Sequence, residues 1–483
     1  MRSIPAKGRS TEEILRDLES FRAHDVDWRS GRTWAYVYDP GPEAEEVIKK
    51  AYMMYLSENG LDPTAFPSVL RLETELVAMA ARHLRGDEHV VGNFTSGGTE
   101  SILLAVKTAR DWARAERPHI REPEMVLPVT AHAAFHKAAH YFCVKPVLVP
   151  VDPRSFKADP QAMERAITPN TILIVGSAVS YAHGVVDPIR ELAEIAQRRG
   201  VLFHVDACMG GFLLPYFRRL GAPVPDFEFH VPGVTSISMD FHKYAFAAKG
   251  ASVILYRNAE LRRYQIFTCA SWTGYTVVNP TVQSTKSAGP LAAAWAVLNY
   301  FGDEGYLEIA RKVLEATRYL ASEIEKIPGL RLLGQPEMNL IAFTSDEVNV
   351  FHVVDEMKAR GWYVQPQLGY LGSKENIHLS VNPANVRWCD ALLADLRASV
   401  EAARKMPQED LSGLKAMLEQ LDLERLTPDE LRQMLAFAGV HGGSLPQRMA
   451  AVSTLLNSLP PAWAEKLLTA YINELYRPAG VEP

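Results

Sequence analysis

Lys243 is the residue of this chain with the clearest potential for covalent chemistry. It lies between His242 and Tyr244 in the run MDFHKYAFAAKG, residues 239–250. Desolvation among aromatic groups disfavours the charged form of a lysine, and the neutral amine can attack an aldehyde. A lone His-Lys pair is more often part of a solvent-exposed loop, so this hypothesis depends on what else the chain contains.

A glycine-rich turn lies upstream, in the run NFTSGGTES at residues 93–101, directly before an alanine-rich apolar stretch. Gly97 and Gly98 allow the backbone to approach an anion closely, and Ser96 and Thr99 supply hydroxyl groups. A helix that begins here points its positive end at the anion. The same residue types also form ordinary helix caps. The turn is therefore a candidate phosphate cradle.

A lone carboxylate, Asp206, ends the apolar and β-branched run 201–205. An acid at the carboxyl end of a buried parallel strand needs a cationic partner, and a protonated pyridine nitrogen is one. Capping of the next helix is the alternative for Asp206. His132 could stack on a flat ring, although a lone histidine is more often a cap or a core residue. With Lys243, these features point to pyridoxal 5'-phosphate (PLP).

In this order along the chain, the glycine turn, His132, Asp206 and the His-Lys pair resemble the decarboxylase branch of the PLP-dependent enzymes of the aspartate-aminotransferase fold type, type I. Within that branch, residues 4–405 are similar to the sphingosine-1-phosphate lyase family and its bacterial members. Matching segments include IPAKG, WRSGR, FPSV, GSA, HKY and KG, at residues 4–8, 28–32, 66–69, 176–178, 242–244 and 249–250.

The resemblance implies a role for each of these residues. Lys243 would form the Schiff base with the cofactor, Asp206 would pair with the pyridinium nitrogen, and His132 would stack on the ring. Tyr244 would belong to the catalytic residues. The groups expected at the cofactor phosphate are Ser96, Gly97, Gly98, Thr99, His242 and Lys286.

Lys286 stands where the resembled family has an arginine. The segment ends in STK at residues 284–286, and Lys286 keeps the positive charge but loses the bidentate geometry of arginine. Since this family builds each active site from two chains, Lys286 is expected to reach the cofactor phosphate of a neighbouring subunit. The resemblance thus implies a homodimer with shared active sites.

The substrate end departs further from the family. Tyr38 and Lys249 match two groups that receive the substrate phosphate, but the chain reads NGLDP at residues 59–63 where the family has NPLHP. Asn59 is retained, whereas Asp62 replaces a histidine and would repel a phosphate. A sphingoid phosphate, a smaller or uncharged β-hydroxy amine, and an amino acid all remain open as substrates.

Four activities compete. A PLP-dependent carbon–carbon lyase, which cleaves a β-hydroxy amine in retro-aldol fashion to an aldehyde and an amine, is the first interpretation. An amino-acid decarboxylase is the main alternative, because it shares every cofactor residue. Aminotransferase activity and a non-catalytic binding protein are less favoured, since residues 376–381 lack an arginine for a substrate carboxylate and Lys243 and Asp206 are intact. Candidates for the general base are Tyr244, Lys249, His132 and Tyr38.

Composition fits a large soluble enzyme, and the resemblance implies that its partner is a small amine or amino acid. The 483 residues are 47% hydrophobic and 22% charged, enough for several lobes. A net charge of −6 gives no electrostatic case for nucleic acid or an anionic membrane. No apolar run reaches the ~18 residues of a membrane span. Four cysteines without CxxC spacing predict a cytoplasmic protein with no metal site.

The pattern of apolar residues predicts an α/β fold in four parts. Residues 1–89 form a helical arm, with helices at 11–22, 43–58 and 68–85. Residues 90–300 alternate short β-branched runs with helices, which predicts a large, mostly parallel sheet of about seven strands. Residues 301–406 form a smaller α/β lobe. Residues 407–483, outside the resemblance, form a helical appendage.

Overall fold

The computed structural model describes residues 3–407, 433 and 446–476. Its N-terminal arm contains helices α1 (Thr11–Phe21), α2 (Pro42–Met54) and α3 (Pro67–His83). A capping box between Ser10 and Glu13 begins α1, which buries none of its own residues. A proline in the first turn begins α2 and α3. These helices confirm the predicted ones, with ends up to four residues away.

A seven-stranded sheet forms the large lobe, in the order β1-β7-β6-β5-β4-β2-β3. Only β7 runs against its neighbours, so the predicted mostly parallel sheet is confirmed. The strands are β1 (Val91–Thr95), β2 (Glu124–Pro128), β3 (Lys145–Val149), β4 (Thr171–Ser177), β5 (Leu202–Asp206), β6 (Ser236–Asp240) and β7 (Ser252–Tyr256). The helices between them are α4 (Gly98–Glu116), α5 (Ala134–Phe142), α6 (Pro160–Arg165), α7 (Ile189–Arg199), α8 (Leu214–Arg219) and α9 (Ala259–Arg262).

The carboxyl ends of the parallel strands meet at one edge of the sheet. Asp206 of β5 pairs in register with Ser177 of β4 and Ser238 of β6. Thr95, at the end of β1, pairs with Ser252 of β7, which pairs in turn with Asp240 of β6. Residues that follow these strands are therefore gathered in one place, as expected for a ligand site of an open α/β sheet.

Strand β1 has no strand-like sequence pattern. Its residues read VGNFT, and glycine and asparagine disfavour strands. Gly92 is needed because β7 passes close by: a Cβ at this position would lie 2.2 Å from the carbonyl oxygen of Ile254. Pairing with β7 therefore overrides the local preference and places the glycine turn at the carboxyl edge.

The smaller lobe is an antiparallel sheet, in the order β10-β11-β13-β12, covered by helices. A long helix α10 (Gly289–Glu325) leads into it and is interrupted at Gly302, whose φ of 59° is not helical. The other elements are β8 (Phe267–Cys269), β9 (Val277–Asn279), β10 (Leu330–Leu332), β11 (Leu340–Ser345), α11 (Val350–Ala359), β12 (Gln365–Gln367), β13 (Asn376–Ser380) and α12 (Cys389–Ala403). The hairpin β8–β9 and strand β12 were not predicted.

Two helices follow near the C-terminus, and the first of them packs against α11 of the small lobe. They are α13 (Ala450–Ser458) and α14 (Pro461–Leu475), and the second matches the helix predicted at 462–476. The helices predicted at 411–423 and 427–437 lie outside the described residues, apart from residue 433. Within the described part of the chain, no helix combines the length and apolarity needed to cross a membrane.

Candidate cofactor and substrate site

A cavity of about 300 Å³ opens at the carboxyl edge of the large sheet. Its size is in the range of small-ligand pockets. The predicted site residues that line it are Ser96, Gly97, Gly98, Thr99, His132, Asp206, His242 and Lys243. These residues come from four separate segments of the chain, and the structure brings them to one place.

The glycine turn forms the amino-terminal end of α4, a helix of 19 residues. Gly97 has a φ of 153°, which side chains rarely allow. A Cβ on Gly98 would lie 2.8 Å from both the Asp240 carboxylate and the Cys208 sulfur. Glu100 holds the turn from behind, because its carboxylate accepts hydrogen bonds from the backbone N–H groups of Ser96 (2.6 Å) and Val282 (2.8 Å). The turn is thus a tightly packed cradle at a helix N-terminus, suited to a phosphate.

Asp206 is 6% exposed and is held by a polar network. Its Oδ1 accepts hydrogen bonds from Cys208 N (3.1 Å) and Ser238 Oγ (3.4 Å). Ser238 Oγ lies 3.2 Å from Nε2 of the fully buried His204. Burial lowers the pKa of His204 to about 4, so this ring is neutral. Asp206 therefore sits in the cavity as an oriented carboxylate, as a partner for a pyridinium nitrogen requires.

Lys243 forms an ion pair with Asp240, a buried acid three residues before it, at 2.9 Å. Burial alone would lower the pKa of Lys243, but Asp240 outweighs this and raises it. Burial alone would raise the pKa of Asp240, yet Lys243 and His242 hold it below its usual value. The expectation that desolvation alone frees the amine is therefore wrong. In this structure the amine is a cation, and it must lose a proton before it can attack an aldehyde.

His242 connects this ion pair to the cradle. Its Nδ1 accepts a hydrogen bond from Ala251 N at 3.1 Å, and its Nε2 lies 3.5 Å from Asp240. Burial lowers the pKa of His242. The hydrogen bond from Ala251 places the proton of the neutral ring on Nε2, facing Asp240. His132 also lines the cavity; it is exposed, and its Nδ1 accepts from Ala134 N at 3.1 Å.

Tyr38 and Lys249, predicted to contact the substrate, lie beside Lys243. The Tyr38 ring packs edge-on against the buried Tyr244, with centroids 4.9 Å apart, and the Lys249 amine lies 4.5 Å from the Tyr38 ring. Trp34 anchors the segment, because its backbone bonds to Tyr363 and Ser380 of the small lobe. These two hydrogen bonds hold the N-terminal segment at the site.

Lys286, Asn59 and Asp62 do not enter this cavity. The Lys286 amine is buried, 2.5 Å from the Glu73 carboxylate and 3.2 Å from the carbonyl oxygen of Phe94. The exposed Asp62 carboxylate accepts from Thr64 N (2.8 Å) and Thr64 Oγ1 (2.6 Å). The role predicted for Lys286 in a neighbouring subunit remains a prediction.

Asn59 and Asp62 belong to a turn that faces a second, larger space. Asn59 Oδ1 accepts a hydrogen bond from Leu61 N at 3.2 Å. Asp62 and Lys286 line a separate cavity of about 960 Å³ between α3 and the β8–β9 hairpin. Within a single chain, this places the turn away from Lys243.

Asp240 and Tyr181 are site residues that the sequence did not reveal. Asp240 stands in the His-Lys run, and its position three residues before Lys243 was the available signal. Tyr181 lines the cavity, donates a hydrogen bond to Gln365 Oε1 at 2.5 Å and stacks on His378 at 4.6 Å. No pattern near Tyr181 indicates this, because its partners are about 190 residues away in sequence.

One cluster elsewhere groups potential metal ligands. Asp226, Glu228 and His230 bring ligand atoms within 4.8 Å of one another. Arg218 pairs with both acids, and Arg190 pairs with Asp226 at 2.8 Å. Two guanidinium groups thus offset the two carboxylates, which makes this cluster an ion-pair network.

A cradle at a helix N-terminus, a strand-end carboxylate and a lysine at the carboxyl edge of this sheet define a PLP-dependent enzyme of fold type I. A family model described as the pyridoxal-dependent decarboxylase conserved domain matches residues 2–346. The chain belongs to this family, its cofactor is PLP, and it is a lyase. A second model, described as the C-terminal putative HTH domain of pyridoxal-dependent enzymes, matches residues 412–474.

Known relatives agree. The chain is 42% identical over 412 residues to sphingosine-1-phosphate lyase of Oryza sativa, covering 84% of this chain and 75% of that one. It is 34% identical to a probable L-aspartate decarboxylase of Pyrococcus furiosus, covering 76% and 96%. The solved sphingosine-1-phosphate lyase of Burkholderia pseudomallei is 36% identical, with a TM-score of 0.80 over 89% of this chain and 98% of that one.

Replacing Asp206 by asparagine should lower kcat about 100-fold or more, because a neutral amide no longer holds the ring nitrogen protonated. The free energy of unfolding should change by about 1 kcal/mol or less, since asparagine keeps the oxygen that accepts from Cys208 N. Turnover assays and thermal unfolding of the cofactor-loaded protein measure both quantities. An unchanged kcat would show that Asp206 acts only as a local cap.

Proposed function

We propose that this lyase cleaves the C2–C3 bond of a phosphorylated β-hydroxy amine of the sphingoid type, giving an aldehyde and a phosphorylated amine. The support is twofold. Relatives named sphingosine-1-phosphate lyase match most of the chain at up to 42% identity. A cation without an acidic partner, Lys249, also stands beside the candidate cofactor site.

Lys249 is the observation that carries the substrate class. Its amine lies 3.4 Å from two backbone carbonyl oxygens, those of Tyr36 and His242, and against the Tyr38 ring. No carboxylate among the described residues forms an ion pair with it. Crowding by the surrounding protein, together with nearby Lys243, lowers the pKa of Lys249 to about 8. An exposed amine of this kind can pair with an anionic group of a substrate.

The cofactor, when bound, supplies an electron sink for the pair of electrons released by C2–C3 cleavage. Lys243 is proposed to hold it covalently as a Schiff base, and Asp206 to keep its ring nitrogen protonated. The cradle and His242 are proposed to bind its phosphate, and His132 to stack on its ring. Asp240 is proposed to orient the Lys243 amine through their ion pair, and its lowered pKa makes it a poor acceptor for the proton that Lys243 must lose.

Two of the four candidates for the general base are poorly suited to that role. Burial raises the pKa of both Tyr38 and Tyr244, so these phenols keep their protons at neutral pH. They are better suited to donate a hydrogen bond than to remove a proton. His132 and Lys249 remain as candidates to accept the proton of the substrate hydroxyl.

We also propose that the protein is a cytoplasmic homodimer with shared active sites. Each chain is proposed to consist of four units, residues 1–89, 90–300, 301–406 and 407–483. The β8–β9 hairpin and the loop after it expose apolar side chains that a second chain would cover. These are Phe267, Trp272, Tyr275, Val278 and Val282, each at least 47% exposed. The four cysteines are unpaired, which suits a reducing compartment.

The reaction is tested by a product assay on cofactor-loaded protein with sphingosine 1-phosphate, the unphosphorylated amine and aspartate. We expect an aldehyde without CO2 from the phosphorylated amine, and no product from Lys243→Ala. Release of CO2 from aspartate would instead establish the decarboxylase. Asp62→His should increase the preference for the phosphorylated amine several-fold if Asp62 faces that phosphate. An unchanged preference would place Asp62 outside the site.

The role of Lys249 is tested by pH. The ammonium form binds an anion, so KM for the phosphorylated amine should rise as pH increases through about 8, the pKa of Lys249. Lys249→Arg keeps its charge and should lose this increase, whereas Lys249→Met should have a high KM throughout. The unphosphorylated amine is the control substrate. A pH profile that Lys249→Arg leaves unchanged would assign the titration to another group.

Assembly is tested by sedimentation velocity and activity at equal protein concentration. The wild type should sediment as a dimer of the 53.7 kDa chain. Trp272→Ser/Tyr275→Ser should shift it toward the monomer and lower activity together, because the loss of apolar contact area weakens association. Tyr141→Ser, equally exposed on α5, is the matched control. A fully active monomer would contradict shared active sites.

A further inference from the structure

The segment of residues 446–476, here called the C-terminal helical unit, is attached to the small lobe at the start of α13. The buried Asp355 of α11 accepts hydrogen bonds from Met449 N (2.8 Å) and Ala450 N (2.9 Å). A carboxylate at the N-terminus of a helix accepts hydrogen bonds from its free N–H groups and interacts favourably with the helix dipole. Nearby, Arg448 forms an ion pair with Glu356 at 2.5 Å. The unit is therefore docked through specific polar contacts.

Asn457, two turns further along α13, holds a loop of the small lobe at both ends. Its Oδ1 accepts a hydrogen bond from Gly369 N at 2.6 Å, and its Nδ2 donates to Glu375 Oε2 at 3.3 Å. Residues 368–375, here called the wall loop, connect β12 to β13. One side chain thus brings the two ends of this loop into a defined geometry.

The wall loop is connected to the cavity by two short routes. Through β12, Gln365 accepts the hydrogen bond from the Tyr181 hydroxyl at 2.5 Å. Through Ser373, the loop bonds to His183 Nε2 at 2.9 Å, two residues from Tyr181. Tyr181 itself lines the cavity next to Lys243. Asn457 is therefore two hydrogen-bonded links from a side chain of the active-site wall.

The net charge of residues 407–483 argues against a role of this region in DNA binding. The matched family model describes a putative HTH domain, a motif that can bind DNA. Residues 407–483 contain ten acidic and six basic side chains. DNA-binding surfaces are basic, because affinity comes largely from phosphate neutralisation. The region is acidic overall and gives no support for that function.

We propose that the C-terminal helical unit positions the active-site wall, with Asn457 as the positioning residue that acts on Tyr181 through the wall loop. Tyr181 lines the cavity together with Lys243, and the small lobe holds it through Gln365 of β12 and His378 of β13. Neither of these two contacts involves the glycine turn, so we expect the effect to fall on substrate binding and not on cofactor retention. The kinetic part of this inference rests on the proposed lyase function.

The test compares Asn457→Ala with Thr454→Val in the full-length, cofactor-loaded protein. Thr454 is the matched control, since it also lies half-buried on α13 and accepts a hydrogen bond from the small lobe, but from Asn349 Nδ2 (3.0 Å) and not from the wall loop. Asn457→Asp keeps the acceptor for Gly369 N, loses the donor to Glu375 and sets a second carboxylate beside that of Glu375, which it repels.

Hydrogen exchange is measured without substrate, and so it does not depend on the proposed function. We expect Asn457→Ala to increase exchange in residues 368–375 and 178–184, Asn457→Asp to increase it at least as much because its carboxylate repels Glu375, and Thr454→Val to leave both segments unchanged. An increase confined to 446–476, or an equal increase in Thr454→Val, would overturn the proposal. If the wild type does not cleave the sphingoid substrate, only the proposed function fails.

Kinetics then separate positioning from general weakening of the fold. In Asn457→Ala, KM should rise about three-fold or more while kcat and the absorbance of bound cofactor stay within about two-fold. A fall in kcat together with loss of cofactor would indicate a purely structural role and contradict the proposal. Salt-sensitive binding of duplex DNA by the wild type, lost in a variant of the C-terminal region, would also overturn it.

Discussion

The site depends on the close approach of the glycine turn to the ends of strands β5 and β6. Gly98 leaves no room for a Cβ against Asp240 and Cys208, so the cradle and the two strand-end acids, Asp206 and Asp240, share one small volume. Two buried carboxylates on adjacent strands require compensating positive charge. Asp240 obtains it from Lys243. Asp206 has no ion pair of its own among the described residues, which agrees with the proposal that it pairs with the pyridinium nitrogen of the cofactor.

This arrangement explains why the fold, and the gathering of the candidate cofactor residues in one cavity, could largely be predicted from the sequence. Strands β4, β5 and β6 are buried on both faces, and their β-branched runs are therefore recognisable without any partner. The residues that follow them must meet at one edge, so a cradle, an acid and a lysine placed at strand ends predict one cavity. Strand β1 escaped prediction because its pairing with β7, and not its own residues, makes it a strand.

The positions of the residues at the substrate end could not be predicted in the same way, because contacts between residues far apart in the sequence decide them. Tyr38 reaches the site because the backbone of Trp34 is bonded to Tyr363, just before β12, and to Ser380 of β13, more than 300 residues later in the chain. Lys286 and Asp62 carry the charges expected of phosphate-binding or phosphate-repelling groups, but Glu73 and Thr64 hold them away from Lys243 in the same chain. Residue type and order do not reveal such pairings.

Lys243 and Lys249 show that the same residue type can have opposite pKa shifts, depending on its neighbours in the structure. They lie six residues apart in one loop, and both are crowded by protein, which lowers the pKa of an amine. Asp240 lies 2.9 Å from Lys243 and reverses that effect, so its pKa is raised. Within the part of the chain that the structure describes, Lys249 has no carboxylate in an ion pair with it, so burial and the charge of Lys243 lower its pKa to about 8. The Lys243 amine is therefore held as a cation, paired with Asp240, next to the candidate cofactor site. The charge of the Lys249 amine depends on pH near neutrality, and this amine is exposed and can pair with an anionic ligand.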